Sequence, residues 1–453
     1  MCFVKKNILY VAIVGMPFIS SFNGIDALGG LGKQLSFYPM MLGLIIWGIL
    51  IAKGGVVKIP QSVEFKIIVL FMLWLFFSGM INLPTFMDLN YQGVNGINRF
   101  IIQLGSFIFY VLISLVAYNW ISQLNNPIKI LRNGIYVSFF IAGLYSVMEL
   151  IAFVSLDYTI SAISAVDSVF RENSIEGFFL GRLRSVSAEA SYFGMYAAMI
   201  MPWLVTGFLK ANKNKIFYGV INGYFLILVF MTASRTAYLL IFLELLLMIV
   251  LFKEQLILNM KHMLIPLFIF VICIVCGAAQ LIDKMSIDVI TIMLSITDSS
   301  GENLSNIARY GSQLAALNIF LDNPVFGVGY GMFGFYAPDY YPSIAWYSFE
   351  VKDWGSNIIG GKWPPVHGLY ARLLAETGGI GLIIWLLFIV FSVKRTFDVI
   401  ALCNDDLKLD VKAILISLLA SFACGFNVDG FIVIGMWIFI AYAWYLNERI
   451  CNE

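Results

Sequence analysis

The chain has 453 residues, 60% of them hydrophobic and only 12% charged, with a mean hydropathy of +0.88. Soluble globular domains carry about a quarter of their residues as charges, so this composition excludes a soluble fold and implies an integral membrane protein. The formal net charge of +1 supplies no field that would attract nucleic acid.

Crossing the hydrocarbon core takes about 20 apolar residues as helix, since an unpaired backbone amide in lipid is costly. Apolar runs of that kind occur at about 7–23, 35–52, 65–83, 100–119, 134–155, 188–208, 216–233, 236–252, 263–282, 367–391, 412–428 and 430–447. The expected fold class is all-α, a single polytopic membrane domain over 1–453 with about 12 transmembrane helices and one long polar loop at 283–366. Lys5 and Lys6 precede the first run as in a signal peptide, but no small-residue cleavage pattern follows, so that run reads as a retained span.

Two stretches between the early runs are more polar, 83–99 and 156–187. The second ends in Gly181-Arg182-Leu183-Arg184-Ser185, just ahead of Glu189 and the sixth run. Thr232-Ala233-Ser234-Arg235-Thr236 makes the short turn between the seventh and eighth runs. An arginine at the hydrocarbon boundary is expensive unless it meets water or an anion, so Arg182, Arg184 and Arg235 each call for a partner. Cys273 and Cys276 have CxxC spacing, but inside an apolar run that reads as helix packing, and the six cysteines imply no disulfide framework.

In the long loop, Ile307, Leu314, Leu317 and Leu321 recur at helical spacing until Asn323-Pro324 ends the pattern. This predicts an amphipathic helix along the membrane surface, with Arg309 near its start. Gly327, Gly329, Gly331 and Gly334 then permit a tight backbone path. They lack the Gly-Lys-Ser/Thr of a phosphate loop and the strand context of a dinucleotide fold. The aromatics from Tyr340 to Trp363 suit sugar stacking or an interfacial belt equally well. His367, one of two histidines, opens the tenth run and is followed by Tyr370, Arg372 and Glu376. Arg372 and Glu376 are four apart and read as an ion pair. Glu189 reads as a partner of Arg184 or as a contact to an acceptor hydroxyl. Glu149, Glu244 and Asp429 read as members of pairs inside the bundle or at its margins.

Lysines and arginines gather in the short loops, among them Lys53, Lys58, Lys129, Arg132, Lys213 and Lys408. The positive-inside rule then places both termini in the cytoplasm and 283–366 outside, together with 83–99 and 156–187. Guanidinium groups arriving from separate outer turns suit a pyrophosphate, because each offers a forked, permanently charged donor. His367 is the outer group whose ordinary pKa suits proton transfer near neutrality.

Three pieces together resemble the O-antigen polymerase and O-antigen ligase superfamily. They are Thr232-Ala233-Ser234-Arg235, then Arg309 ahead of Asn323-Pro324-Val325-Phe326-Gly327-Val328-Gly329, then His367 to Gly381. The resemblance covers roughly the second half of the chain. His367, Gly378 and Gly381 keep the spacing of the family ligases, while Gly368 replaces their polar residue after the histidine, which leans the reading toward a polymerase. Arg182 and Arg184 do not reproduce the paired arginine motifs of some polymerases, since Arg182 to Gly194 leaves eleven residues between and Arg184 to Gly194 nine.

The resemblance implies metal-independent glycosyl transfer, without a cofactor, at the periplasmic face of the bacterial inner membrane. A growing glycan would leave its undecaprenyl pyrophosphate for the terminal sugar of a new lipid-linked repeat unit. His367 would act as general base or orient the acceptor. Arg184, Arg235 and Arg309 would hold the donor pyrophosphate, with Arg182, Glu189 and Tyr370 as further substrate contacts. The implied partners are the lipid-linked oligosaccharide, membrane lipids, and a chain-length regulator and flippase of the same pathway. A ligase would share the donor and use a lipid A-core sugar as acceptor. A transporter or flippase would also have twelve spans and both ends inside, but tends to place polar groups near the midplane between related halves. Here the candidate groups lie at one interface and the halves look unlike each other.

The orientation is open to a direct test. Single cysteines introduced near Gly301 and Trp354, in a background lacking the native ones, should react with an impermeant reagent added from outside. Cysteines near Lys213 and Asp405 should not. Labelling at Trp354 from the cytoplasm alone would invert the topology.

Overall fold

The structure is a computed structural model that describes residues 2–25, 30–154, 156–170, 182–211, 213–257 and 304–451. Its helices are α1 (Cys2–Val14), α2 (Phe37–Ala52), α3 (Val63–Ile81), α4 (Leu83–Asp88), α5 (Gly96–Ile121), α6 (Pro127–Val154), α7 (Leu156–Phe170) and α8 (Ala190–Lys210). They continue as α9 (Lys215–Met231), α10 (Arg235–Leu251), α11 (Leu304–Asp322), α12 (Phe333–Tyr340), α13 (Phe349–Gly355), α14 (Leu369–Leu402), α15 (Asp405–Ala423) and α16 (Ile434–Cys451). One hairpin of two-residue strands, β1 (Asn90–Tyr91) and β2 (Val94–Asn95), precedes α5.

The chain is an all-α polytopic membrane protein. Among the described residues, six helices are long and apolar enough to cross a membrane. Five are α3, α5, α6, α8 and α14, and the sixth is Leu407–Phe426, which takes in most of α15. α2 and α9 are shorter and apolar. The span expected at 263–282, with Cys273 and Cys276, lies outside the described residues, as does the start of the long loop at 283–303. The expected helix in that loop is present as α11. Its exposed stripe is Tyr310, Leu314, Leu317 and Leu321, and its small residues Ala308, Ala315 and Ala316 are buried.

One expectation needs correction. The first helix stops at Val14 rather than near residue 23, because Gly15 and Pro17 follow and proline cannot continue the hydrogen-bond ladder. After residue 155, α7 forms and packs on α6. It is held by a contact that local sequence does not reveal: the Tyr145 hydroxyl donates to Asp167 Oδ1 at 2.6 Å.

α8 sits at the centre of one half, packed on α10 and α15, while α14 packs on α3 and α11 and α5 packs on α16. An aromatic cluster joins these parts: Phe107 and Phe431 have ring centroids 4.9 Å apart, and Trp385 and Phe431 4.8 Å. Such pairs add to the area they bury. It anchors the loop between α15 and α16, which reaches the candidate site.

α14 is broken at Gly378, where φ is 68° and ψ is −177°, a region open essentially to glycine alone. The break frees backbone groups, and the glycine-rich segment after α11 takes them up. Val328 N–H donates to Ala375 O at 3.0 Å and Gly329 N–H to Glu376 O at 2.9 Å, while Gly379 N–H donates to Pro324 O at 2.8 Å. The Glu376 carboxylate continues the match, accepting from Gly331 N–H at 2.8 Å and Phe333 N–H at 3.1 Å. A Cβ at Gly378 would lie 2.2 Å from Val325 O. Gly378→Ala is therefore expected to lose about 1–3 kcal/mol from this strain, read as a lower melting midpoint of the detergent-purified protein by intrinsic fluorescence. An unchanged midpoint would show that the segment and the break are not tightly joined.

Candidate active site

The turn Thr232–Arg235 is built to present an arginine. Thr232 Oγ1 donates to Val229 O at 2.7 Å, Ala233 adopts a φ of 45°, and Ser234 caps α10 by accepting from Ala237 N–H at 3.4 Å. Arg235, the first residue of α10, is half-buried and donates to Asn306 Oδ1 on α11 at 3.0 Å. Its charged neighbours are Arg309 and Arg182. Among the described residues none of these three arginines is held in an ion pair.

Arg184 is placed otherwise. It is 1% exposed and lies between two carboxylates, with Nε 3.5 Å from Glu149 Oε1 and Nη2 3.2 Å from Asp167 Oδ2. Glu149 also accepts from Ser185 N–H at 2.7 Å. Arg184 and Glu149 thus secure the turn that carries exposed Arg182, and Glu189 is not the partner of Arg184. Glu189 is exposed at the start of α8 and accepts from Ser191 Oγ at 3.2 Å. Tyr192, one turn on, feels the charges of Glu189, Asp429 and Arg309, so Glu189 borders the arginine group.

His367 takes the left-handed backbone conformation, φ 58°, which is uncommon outside glycine, with Asn, Asp and His the more frequent exceptions. Three contacts hold it there. Val366 N–H donates to Asp429 Oδ2 at 3.1 Å, Gln313 Nε2 donates to His367 O at 3.2 Å, and the imidazole packs against Trp354 with centroids 5.4 Å apart. Nε2 is buried without a hydrogen-bond partner among the described residues. Burial and the Arg309 charge push the imidazole pKa down to about 4, with Asp429 opposing them. Gly368 is extended, with φ 176°, and a Cβ there would make only ordinary contact with Gln313 at 3.6 Å, so the backbone does not demand glycine.

Arg372 and Glu376 form the expected pair at 2.9 Å. Arg372 is fully engaged, donating also to Asp429 O at 2.7 Å and Gln103 Oε1 at 2.9 Å. The Tyr370 hydroxyl is engaged, donating to Phe422 O at 2.8 Å. Trp354 is buried against His367, and Trp363 lies under Arg99, whose guanidinium carbon is 4.3 Å from its centroid. Tyr347 stays exposed. The structure therefore brings together Arg182, Arg235, Arg309 and His367, with Glu189 at the edge. It leaves Arg184 and Tyr370 in structural contacts.

Sequence reasoning missed the place of Asp429, which accepts from Val366 N–H and whose charge acts on the His367 imidazole, both only through tertiary contact. An ionisable residue between two nearly continuous apolar runs was the available signal. It also missed Arg99, whose electrostatic neighbours are Arg372, Glu376 and Asp429.

Among the described residues, three guanidiniums without an ion-pair partner thus lie beside a buried imidazole, an arrangement suited to an anion. Residues 220–386 match the family model described as O-Antigen ligase, which supports the chain's place in the O-antigen ligase and polymerase superfamily. The matched region includes Arg235, Arg309, His367 and the break at Gly378. No curated protein matches the chain.

The depressed imidazole pKa can be measured directly. With His262 replaced by Gln, a 13C-histidine-labelled protein in micelles has a single imidazole, and its midpoint should fall near 4 rather than the ordinary 6.5. The folded imidazole would then be neutral throughout pH 5–8. Removing the neighbouring charge by Arg309→Gln should raise the midpoint. A wild-type midpoint at 6.5 would remove the proposed burial and repulsion.

Proposed function

We propose that this membrane glycan-transferring enzyme polymerises undecaprenyl-pyrophosphate-linked oligosaccharide repeat units at the periplasmic face of the bacterial inner membrane, with both termini in the cytoplasm. The observation that carries the reading is the group formed by Arg182, Arg235 and Arg309 beside His367. Three cations of like sign repel one another, so an anion that reaches all three relieves the repulsion and gains forked hydrogen bonds. A pyrophosphate has the charge and the oxygens to do so.

In this reaction the acceptor hydroxyl oxygen attacks the anomeric carbon of the donor glycan. The bond to the pyrophosphate oxygen breaks, and the lipid pyrophosphate leaves with its charge held by the arginines, where preorganised donors count most. His367 takes the hydroxyl proton and returns it to water, and Asp429 stabilises the imidazolium in between. Donor binding also strengthens the base. Burial and the Arg309 charge together keep the imidazole pKa low, and the pyrophosphate offsets the second of these, so His367 becomes a better proton acceptor when the donor is in place.

A second reading is ligation of the glycan to lipid A-core, favoured by the description of the matching family model. The two differ in what accumulates when the gene is deleted. Loss of a polymerase leaves single repeat units on the core, whereas loss of a ligase leaves long glycan on undecaprenyl pyrophosphate.

Arg235→Ala and Arg309→Ala should each abolish or severely reduce polymer at normal membrane levels of the protein, and Lys should rescue poorly because it lacks the fork. His367→Ala should lower elongation by roughly 10²- to 10⁴-fold while donor binding persists. Purified variants supplied with lipid-linked repeat units provide the measurement. Undiminished elongation by His367→Ala would exclude it as the base.

A further inference from the structure

The candidate active site occupies one end of the bundle; a different cavity opens at the other. Arg99 and Trp120 mark the two ends on α5, roughly 30 Å apart at about 1.5 Å per residue, close to the thickness of a hydrocarbon core. Around Trp120 lies a cavity of about 360 Å³. Lys5 and Lys58 line it, and Trp47, Ile51, Val56 and Trp120 make up much of its apolar wall.

Its two lysines come from separate parts of the chain. Lys5 belongs to α1 and is fixed by donating Nζ to Gln123 Oε1, another lining residue, at 2.6 Å. Lys58 follows α2 and is exposed, and its backbone is clamped to the end of α5: Lys58 N–H donates to Asn119 Oδ1 at 2.8 Å, and Asn119 Nδ2 returns to Lys58 O at 2.9 Å. Gly43 gives Trp120 room to form the wall, since a Cβ there would lie 2.8 Å from the indole. Lys58 also borders a second cavity of about 490 Å³. The carboxylate there, Glu448, is already engaged by Gln61 N–H at 2.5 Å and by the Tyr118 hydroxyl. No carboxylate lines the cavity that holds both lysines.

We propose that this cavity binds one acidic phospholipid, its phosphate between Lys5 and Lys58 and an acyl chain along Trp47 and Ile51. The lipid, rather than a free anion, is indicated by continuity: the apolar wall runs into the outward face of α2, where Leu42, Ile45 and Ile49 are exposed on a membrane-spanning protein. Two cations over an apolar slot match a phosphate head with a hydrocarbon tail. The site is separate from the glycan chemistry and does not depend on it.

Native mass spectrometry of the full chain, delipidated in detergent and titrated with phosphatidylglycerol, tests this. The wild type should retain one phosphatidylglycerol, with phosphatidylcholine held at least tenfold more weakly. Lys58→Gln should weaken retention several-fold and the Lys5→Gln/Lys58→Gln pair tenfold or more, whereas Lys58→Arg should keep it. Lys58 is exposed, so its variants leave the packing intact even if Lys5→Gln disturbs α1. Trp47→Ala should weaken retention with both charges present. Glycerol phosphate at equal concentration should not displace the lipid. Equal retention by Lys58→Gln and wild type, equal binding of phosphatidylcholine, or displacement by glycerol phosphate would each overturn the proposal.

Discussion

The exchange of backbone hydrogen bonds at Gly378 sets the geometry at the site end of the bundle. A continuous α14 would satisfy its own carbonyls and leave nothing for the glycine-rich segment to bind. Because the helix breaks, Ala375 and Glu376 offer their carbonyls outward, and Val328 and Gly329 fill them. Glu376 adds its carboxylate to the same segment and its charge to Arg372. This fixes the C-terminal end of α11, the helix that carries Arg309 near its start, relative to the start of α14, which follows His367. The apolar setting makes the arrangement exacting, since an unpaired amide away from water is costly.

Against that frame the arginines separate into two kinds. Arg184 and Arg372 are buried and neutralised, the first by Glu149 and Asp167, the second by Glu376 with two further acceptors. Leaving either without its carboxylate would strand a charge in the interior. Arg182, Arg235 and Arg309 have no such partner among the described residues, yet they lie near enough to repel one another. Folding alone does not reward that arrangement. A ligand carrying negative charge does, which is why the proposed pyrophosphate site rests on these three.

The family glycines of the sequence have physical reasons in the fold. Gly378 occupies a backbone conformation closed to other residues, and a Cβ at Gly381 would lie 2.1 Å from Thr377 Oγ1 and 2.9 Å from the Trp74 indole nitrogen. Trp74 in turn donates to Thr377 O at 2.9 Å, tying α3 to the break. The spacing from His367 to these glycines therefore reflects a helix break set a fixed distance below the histidine. The glycine run beyond Asn323-Pro324 was legible as a tight path, but its partner was not, because that partner is a set of carbonyls some fifty residues on.

Composition and apolar run length by themselves determined the all-α membrane architecture, since lipid leaves the backbone no alternative to self-satisfied helices. Local pattern likewise foretold α11 and the Arg372–Glu376 pair, both of which depend on neighbours within one or two helical turns. Tertiary structure alone decided which arginines are available to a ligand. Arg182 and Arg184 are two residues apart and chemically identical, yet one is exposed beside Arg235 and the other is enclosed by carboxylates from α6 and α7. The same holds for Asp429 and His367, separated by some sixty residues and joined only when α14 and the loop before α16 pack together. Charge neutralisation depends on distances of a few ångströms between elements, and the linear sequence does not contain those distances.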